Sequence, residues 1–416
     1  MTTTHPAPPD FVDPLDLVEP ARFARNGYPH EAWTRLRAEA PVAYFEPEGF
    51  EPFWAITKHA DIQYLASRPQ QYSNEHGLFI APLGSPIQPS GMIVTLDPPR
   101  HGPLRQAAMR RFTPRAVRSR YAEIDRITDQ ILDDVVADSG SEIDFVERVA
   151  APLPIAVISW MLGVPSEDWQ LLFHWTNQVI GKDDPEFRRP GQTPEQSAMS
   201  ARMEMHAYLG ELLERRRREP GDDVMTHLLA AEVEGRPLTE TELLLYCELA
   251  VEAGNETTRN AISGGLLAFS EHRDEWEKLR ANPDLVPNAV EEILRWVTPI
   301  IHFTRMATED GEVRGETIRA GEKVALIFAS GNRDEEVFDE PFEFRIDRHP
   351  NPHLGFGIGE HFCLGSHLAR RSQRALFSEL IGRLEDVELA APPERLAASF
   401  VAGIKHLLLR YRLRAR

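Results

Sequence analysis

One stretch sets the plan of this molecule. Leu238-Thr239-Glu240-Thr241-Glu242 opens an apolar run that continues through Leu245, Leu249, Val251, Ile262 and Leu266 to about Phe269. Some thirty helical residues, at about 1.5 Å each, cross a whole domain, and a helix this long needs other elements packed along it. Residues 58–66, 114–137, 141–162 and 196–218 supply them, with apolar positions three and four apart and charges between. Residues 42–45 and 53–57 are β-prone around Glu48-Gly49, which predicts a hairpin, and 324–328, 400–404 and 407–413 read as short strands. Between these, Pro82, Pro86, Pro89, Gly84 and Gly91 break any helix over 77–96, while Leu78, Phe79, Ile80 and Ile93 keep it apolar. That is a loop over an apolar cavity. The expected class is mainly α with a small β-rich region. Residues 1–29, rich in proline and acids, form an N-terminal surface segment, and with no repeat or Gly/Ser linker the remainder, 30–416, is one domain.

Several functions are excluded. The chain carries 46 Lys+Arg against 65 Asp+Glu, a net charge of -19, which opposes the counterion-release term on which nucleic-acid binding depends. Cys247 and Cys363 make no disulfide framework. The first eighteen residues lack a basic stretch followed by an apolar one. The most apolar segment, 149–164, is too short to span a bilayer and carries Pro152 and Pro154. The expectation is a cytoplasmic protein with no membrane insertion.

The chemistry concentrates in Phe356-Gly357-Ile358-Gly359-Glu360-His361-Phe362-Cys363-Leu364-Gly365, followed by a helical pattern over 366–382. Two glycines permit a tight loop, and Cys363 then sits just before a helix N-terminus, where unpaired amides and the dipole favour a thiolate. No second cysteine or suitably spaced histidine completes a tetrahedral zinc site, so a single thiolate fits a haem iron, whose other ligands are porphyrin nitrogens. Cys247, inside an apolar helix, reads as a small buried hydrophobe.

This segment resembles the haem-binding loop of the cytochrome P450 family, whose pattern F-G-x-G-x-H-x-C-x-G it meets at every position. Glu292 and Arg295 match the family's E-x-x-R pair, three apart on one helix face. Ala253-Gly254-Asn255-Glu256-Thr257-Thr258, halfway along the long helix, matches its acid-alcohol pair. Gly254 and the threonines are poor helix formers whose hydroxyls bond back to carbonyls, so a local opening is expected there. His101 and Arg105, in Asp97-Pro98-Pro99-Arg100-His101-Gly102-Pro103-Leu104-Arg105, together with Arg305 and His361, match the family's partners for the two haem carboxylates; Phe356, Gly357 and Gly254 complete the expected cofactor contacts.

The resemblance implies a triangular helical prism holding haem b (iron protoporphyrin IX) through Cys363. It implies a monooxygenase that inserts one atom of dioxygen into an unactivated C–H bond, with Glu256 supplying protons and Thr257 orienting them. The chain contains no dinucleotide fingerprint, so electrons are expected from NAD(P)H through an external reductase and ferredoxin. Arg110 and Arg111, with Arg370, Arg371 and Arg374, form a local basic excess suited to an acidic ferredoxin. Expected pocket walls are Phe79, Ile93, Val251, Ala253, Ile300, His302, Phe400 and Val401, mostly apolar, which favours a lipophilic substrate. His302 is either a polar handle for substrate or a structural hydrogen-bonding group. Stretches such as 53–61, 255–260 and 403–406 resemble the actinobacterial branch acting on sterols, methyl-branched lipids and terpenes. A non-catalytic haem sensor and a peroxide-driven peroxygenase are the rival readings, and a monomer is expected.

Overall fold

The computed structural model describes residues 5–85, 91–137, 142–401 and 403–414; Pro86 and Pro89 of the expected loop, and residue 141 at an expected helix start, lie outside them. The central helix runs Glu240–Glu271, 32 residues. It starts at a capping box: Thr239 Oγ1 accepts the Glu242 N–H at 3.2 Å, and the Glu242 carboxylate accepts the Thr239 N–H at 2.8 Å. Helices Pro152–Leu162, Trp169–Ile180, Pro194–Arg218 and Val286–Val297 pack along it, and their apolar faces form the largest core. The helix does not open at Gly254 as expected. Its assignment is unbroken, and the Thr257 hydroxyl bonds back to the Ala253 carbonyl at 2.8 Å without disrupting it. Gly254 serves packing instead, because a Cβ there would lie 3.0 Å from Ile158 Cγ1.

Two of the expected helices are divided. Residues 114–137 form Pro114–Arg118 and Tyr121–Ala137. Residues 142–162 form a strand Glu142–Asp144, a π-turn Val146–Ala150 and the helix Pro152–Leu162. Two causes separate these last elements. Ile143 and Asp144 pair with Leu409 and Leu408, while Pro152 and Pro154, lacking N–H groups, belong in a helix's first turn.

The β-rich region is a five-stranded sheet ordered Val42–Phe45, Phe53–Ile56, Lys323–Leu326, Phe303–Ala307, Tyr72–Ser73. The first pair is the expected antiparallel hairpin, and only the Phe53–Ile56 to Lys323–Leu326 pairing is parallel. One face of this sheet is covered by residues assigned above to the surface. Val12, Leu17, Val18 and Phe23 are buried against Trp33, Leu36, Phe45 and Phe53, Leu17 in a 3-10 turn Pro14–Leu17 and Phe23 in a helix Pro20–Asn26. The prolines and acids around them obscured that apolar set. Near the C-terminus Leu408–Leu413 lies between Leu384–Leu389 and Glu142–Asp144. The strand expected over 400–404 begins only at Ile404, with Val401 making an isolated bridge to Ile300. Among the described residues no helix is long and apolar enough to cross a membrane.

Candidate active site

The segment before helix Ser366–Arg383 is a tight turn that isolates one thiol. Gly357 takes φ +67°, a region that side chains disfavour. The turn is closed by Gly357 N–H to Leu354 O at 2.8 Å and Cys363 N–H to Phe356 O at 2.9 Å. Burial pushes the Cys363 thiol up, while the Gly365 amide and the charges of Arg105 and Arg370 pull it down. Cys247 has no such support, and burial among nearby acids pushes it up to about 12. Arg370 also lies 4.3 Å from the centre of the Phe356 ring.

Beneath the turn is a fully buried ion network. Glu292 accepts from Arg295 Nη2 at 2.7 Å and Nε at 2.8 Å, and both side chains have no exposed surface. Arg295 continues to the carbonyls of Asn332 at 3.0 Å, Pro341 at 2.8 Å and Glu343 at 3.0 Å. Arg348 Nε approaches the same carboxylate at 3.2 Å. Asn332 joins the network to the loop: its Oδ1 accepts the Leu354 N–H at 2.7 Å and its Nδ2 donates to Thr298 Oγ1 at 2.8 Å. Arg348 had no role in the sequence reading; it sits on no periodic face that would single it out.

Four basic groups converge near Cys363. The His101 and His361 rings lie 4.1 Å apart, and each has a buried Nε2 with no hydrogen-bond partner. Arg305 is buried and donates to the Thr304 carbonyl at 2.7 Å; burial pulls its pKa to about 10. Arg105 donates to the Phe362 carbonyl. Burial, then Arg305, His101 and Arg105, push His361 down to about 3. Among the described residues only Glu360, 3.9 Å from His101 Nδ1, offers the cluster a carboxylate within ion-pair distance.

On the central helix, Leu249, Ala250, Ala253, Gly254 and Thr257 keep accessible surface although the flanking turns are buried. Their spacing of one, three and four is a single helix face, so the helix presents one accessible face there. Glu256 projects elsewhere. Its buried carboxyl accepts from Arg259 and, at 3.3 Å, from Asn255; Arg259 donates to Asn177 Oδ1 at 2.7 Å. Burial raises its pKa, with Arg259 opposing. Arg259 was missed, although its place three residues after Glu256 is a readable acid–base spacing.

The cytochrome P450 family profile matches residues 26–395. A methyl-branched lipid omega-hydroxylase of Mycobacterium tuberculosis is 39% identical over 90% of this chain and 89% of its own. A steroid C26-monooxygenase of the same organism is 36% identical over 98% and 95%. A cytochrome P450 of Mycobacterium marinum, solved in complex with pseudoionone, superposes with a TM-score of 0.88, 35% identity and coverage of 97% and 100%. The chain belongs to the cytochrome P450 family.

In this P450 the expected pocket residues divide. Phe79, Phe303 and His302 surround Phe400 with ring centres 5.3, 5.5 and 5.9 Å away. Ile300 bridges Val401, and Ile301 N–H donates to the Phe400 carbonyl at 2.9 Å. Ile93 sits half-buried in a 3-10 turn, Ile93–Thr95. Val251 is not a wall: it is fully buried in the helical core, two residues and so about 200° round the helix from accessible Ala253. His302 is engaged within the fold. It accepts the Ile80 N–H at 3.4 Å through Nε2 and donates to the Ser399 carbonyl, and burial pulls its pKa to about 4, so it is neutral with both nitrogens engaged.

The basic residues expected at the surface are largely paired within the P450 itself. Arg111 binds Asp222 at 2.6 Å, Arg371 binds Asp125, and Arg370 makes a two-pronged pair with Glu291 at 2.7 and 2.8 Å. Arg110 is exposed and, among the described residues, without a carboxylate partner.

Proposed function

We propose that this monooxygenase hydroxylates an unactivated C–H bond of a lipophilic small molecule, a steroid, methyl-branched lipid or terpenoid, using dioxygen and two electrons from NAD(P)H delivered by a ferredoxin and its reductase. The observation that carries this reading is the site around Cys363: a lone thiol under an amide, beside buried His101 and His361 nitrogens that have no partner. That donor set fits haem b, whose carboxylates give the two imidazoles and Arg105 and Arg305 the anions they lack. When bound, the haem supplies the activation of dioxygen, and the thiolate's electron donation favours O–O cleavage.

The chain's residues do the rest. Ala253, small and accessible, would leave room beside the cofactor, and the Thr257 hydroxyl orients the incoming protons. Glu256 delivers those protons by exchanging its contact with Arg259 for the neighbourhood of Thr257. The apolar set Phe79, Ile93, Ile300, Phe400 and Val401 holds the substrate and excludes water. The names of the relatives, a lipid hydroxylase and a steroid monooxygenase, support that substrate class.

Arg305→Leu should weaken haem binding about 10- to 100-fold, the equivalent of one charged hydrogen bond of about 1.5–3 kcal/mol; haem transfer to apomyoglobin measures this. The function itself is tested by offering NAD(P)H with a surrogate ferredoxin system, or hydrogen peroxide, to protein preloaded with a displacing steroid or branched lipid. Hydroxylated product under ferredoxin supply supports the monooxygenase. Product with peroxide alone favours the peroxygenase, and product under neither condition favours the sensor. Arg110→Glu should slow reduction by the ferredoxin severalfold at low salt, with the difference disappearing at high salt.

A further inference from the structure

A helix face that packs under another helix is ordinarily apolar, and two glutamates break that rule one and two turns before Glu256. Glu248 has no exposed surface and Glu252 is 8% exposed. Both face helix Pro194–Arg218, which brings two basic side chains to them. Arg202 pairs with Glu248 and lies 3.6 Å from Glu252; His206 Nε2 lies 2.6 Å from the second Glu248 oxygen. His206 and Arg202 keep 29% and 22% of their side-chain surface, so the cluster reaches solvent on that side. Glu252 Oε1 is buried with no hydrogen bond. Burying two carboxylates against one guanidinium is costly. The cost is relieved when one of the acids carries a proton, and Glu252 is that one: burial and then Glu248 push it up to about 8, with Arg202 opposing.

Residues 248, 252 and 256 are successive i, i+4 neighbours, with Cβ atoms about 5–6 Å apart. We propose that Glu248 and Glu252, fed from solvent through His206, form a proton reservoir that recharges Glu256 during turnover. The inference rests on the monooxygenase reading. The reaction consumes two protons: C–H, O2, two electrons and two protons give C–OH and water. Each proton passed from Glu252 to Glu256 is replaced at Glu252 from solvent by way of His206 and Glu248. The groups facing this route are Arg202 and His206 from the covering helix, and Arg259, with Asn177 behind it, at its inner end. Glu252 acts through Glu256, as a positioning and supply residue.

Glu252→Gln keeps the shape and removes the exchangeable proton. The rate of ferredoxin-driven product formation should fall about tenfold, with a larger solvent deuterium effect. Product formed from added hydrogen peroxide, which brings its own protons, should fall at most about twofold. Glu252→Asp should restore most of the ferredoxin-driven rate. Independently of turnover, infrared difference spectra of the resting protein between about pH 6 and about pH 10 should show loss of a protonated carboxyl band, absent from Glu252→Gln. An unchanged ferredoxin-driven rate in Glu252→Gln, or equal losses with ferredoxin and with peroxide, would overturn the proposal and leave the cluster as an anchor for the covering helix. Failure of the haem-thiolate reading would look different: the carbon monoxide spectrum of the wild type would lack its shifted band while the infrared band remained.

Discussion

Glu292→Ala should yield little or no soluble, haem-loaded protein. The carboxylate at 292 is the common acceptor for Arg295, for Arg348 at 3.2 Å, for the Arg345 amide at 2.9 Å and for Asn351 at 3.1 Å. Removing it leaves two buried guanidiniums without an anion, which costs about 3–5 kcal/mol out of a total stability of about 5–15 kcal/mol. The loss is local as well as global. Arg295 holds the carbonyls at Asn332, Pro341 and Glu343 in place, and Asn332 in turn holds the Leu354 amide just before the Cys363 turn. Glu292→Gln keeps the volume and one acceptor oxygen, so it should fold with a lowered thermal midpoint and reduced haem occupancy. Soluble yield, thermal unfolding and the haem-to-protein absorbance ratio check all three statements. A Glu292→Ala protein as stable and as haem-rich as wild type would show that the network does not support the loop.

The second large effect belongs to Cys363. Cys363→Ala removes one sulfur from a turn whose hydrogen bonds, Cys363 N–H to Phe356 O and Gly357 N–H to Leu354 O, are made by the backbone, so the variant should fold with a thermal midpoint close to wild type. Hydroxylation driven by ferredoxin should nevertheless fall below detection, because no other side chain beside the haem site offers a thiolate; Cys247 is fully buried in the apolar core of the central helix. Product analysis beside a thermal melt separates the two consequences. Retained hydroxylation in a folded Cys363→Ala protein would remove Cys363 from the mechanism.

The long helix was legible because its apolar pattern is a local signal; the Thr239-x-x-Glu242 cap is local too, although only the run it opens was read. The turn that carries Cys363 was legible for a similar reason: Gly357 and Cys363 act through backbone geometry within ten residues. What the sequence hid depends on distant partners. The division of residues 141–162 comes from pairing with a strand more than 250 residues later. The role of Arg348 exists only because a different helix carries Glu292. Val251 was misassigned because an apolar residue beside Ala253 was credited with the same face, when a two-residue step turns it to the opposite side. The N-terminal stretch was misread because its charged residues outnumber the few apolar ones, Val12, Leu17, Val18 and Phe23, that do the anchoring. Glu248 and Glu252 had no role in the sequence reading, since nothing local reports that a second helix covers them.

The most direct test of the account is the absorbance difference spectrum of the dithionite-reduced protein with and without carbon monoxide, recorded for wild type and for Cys363→Ala. Thiolate ligation through Cys363 predicts a strongly red-shifted Soret band in the wild type that is absent from the variant; absence of haem from the wild-type protein, or the unshifted band of a histidine-ligated haem, would contradict it.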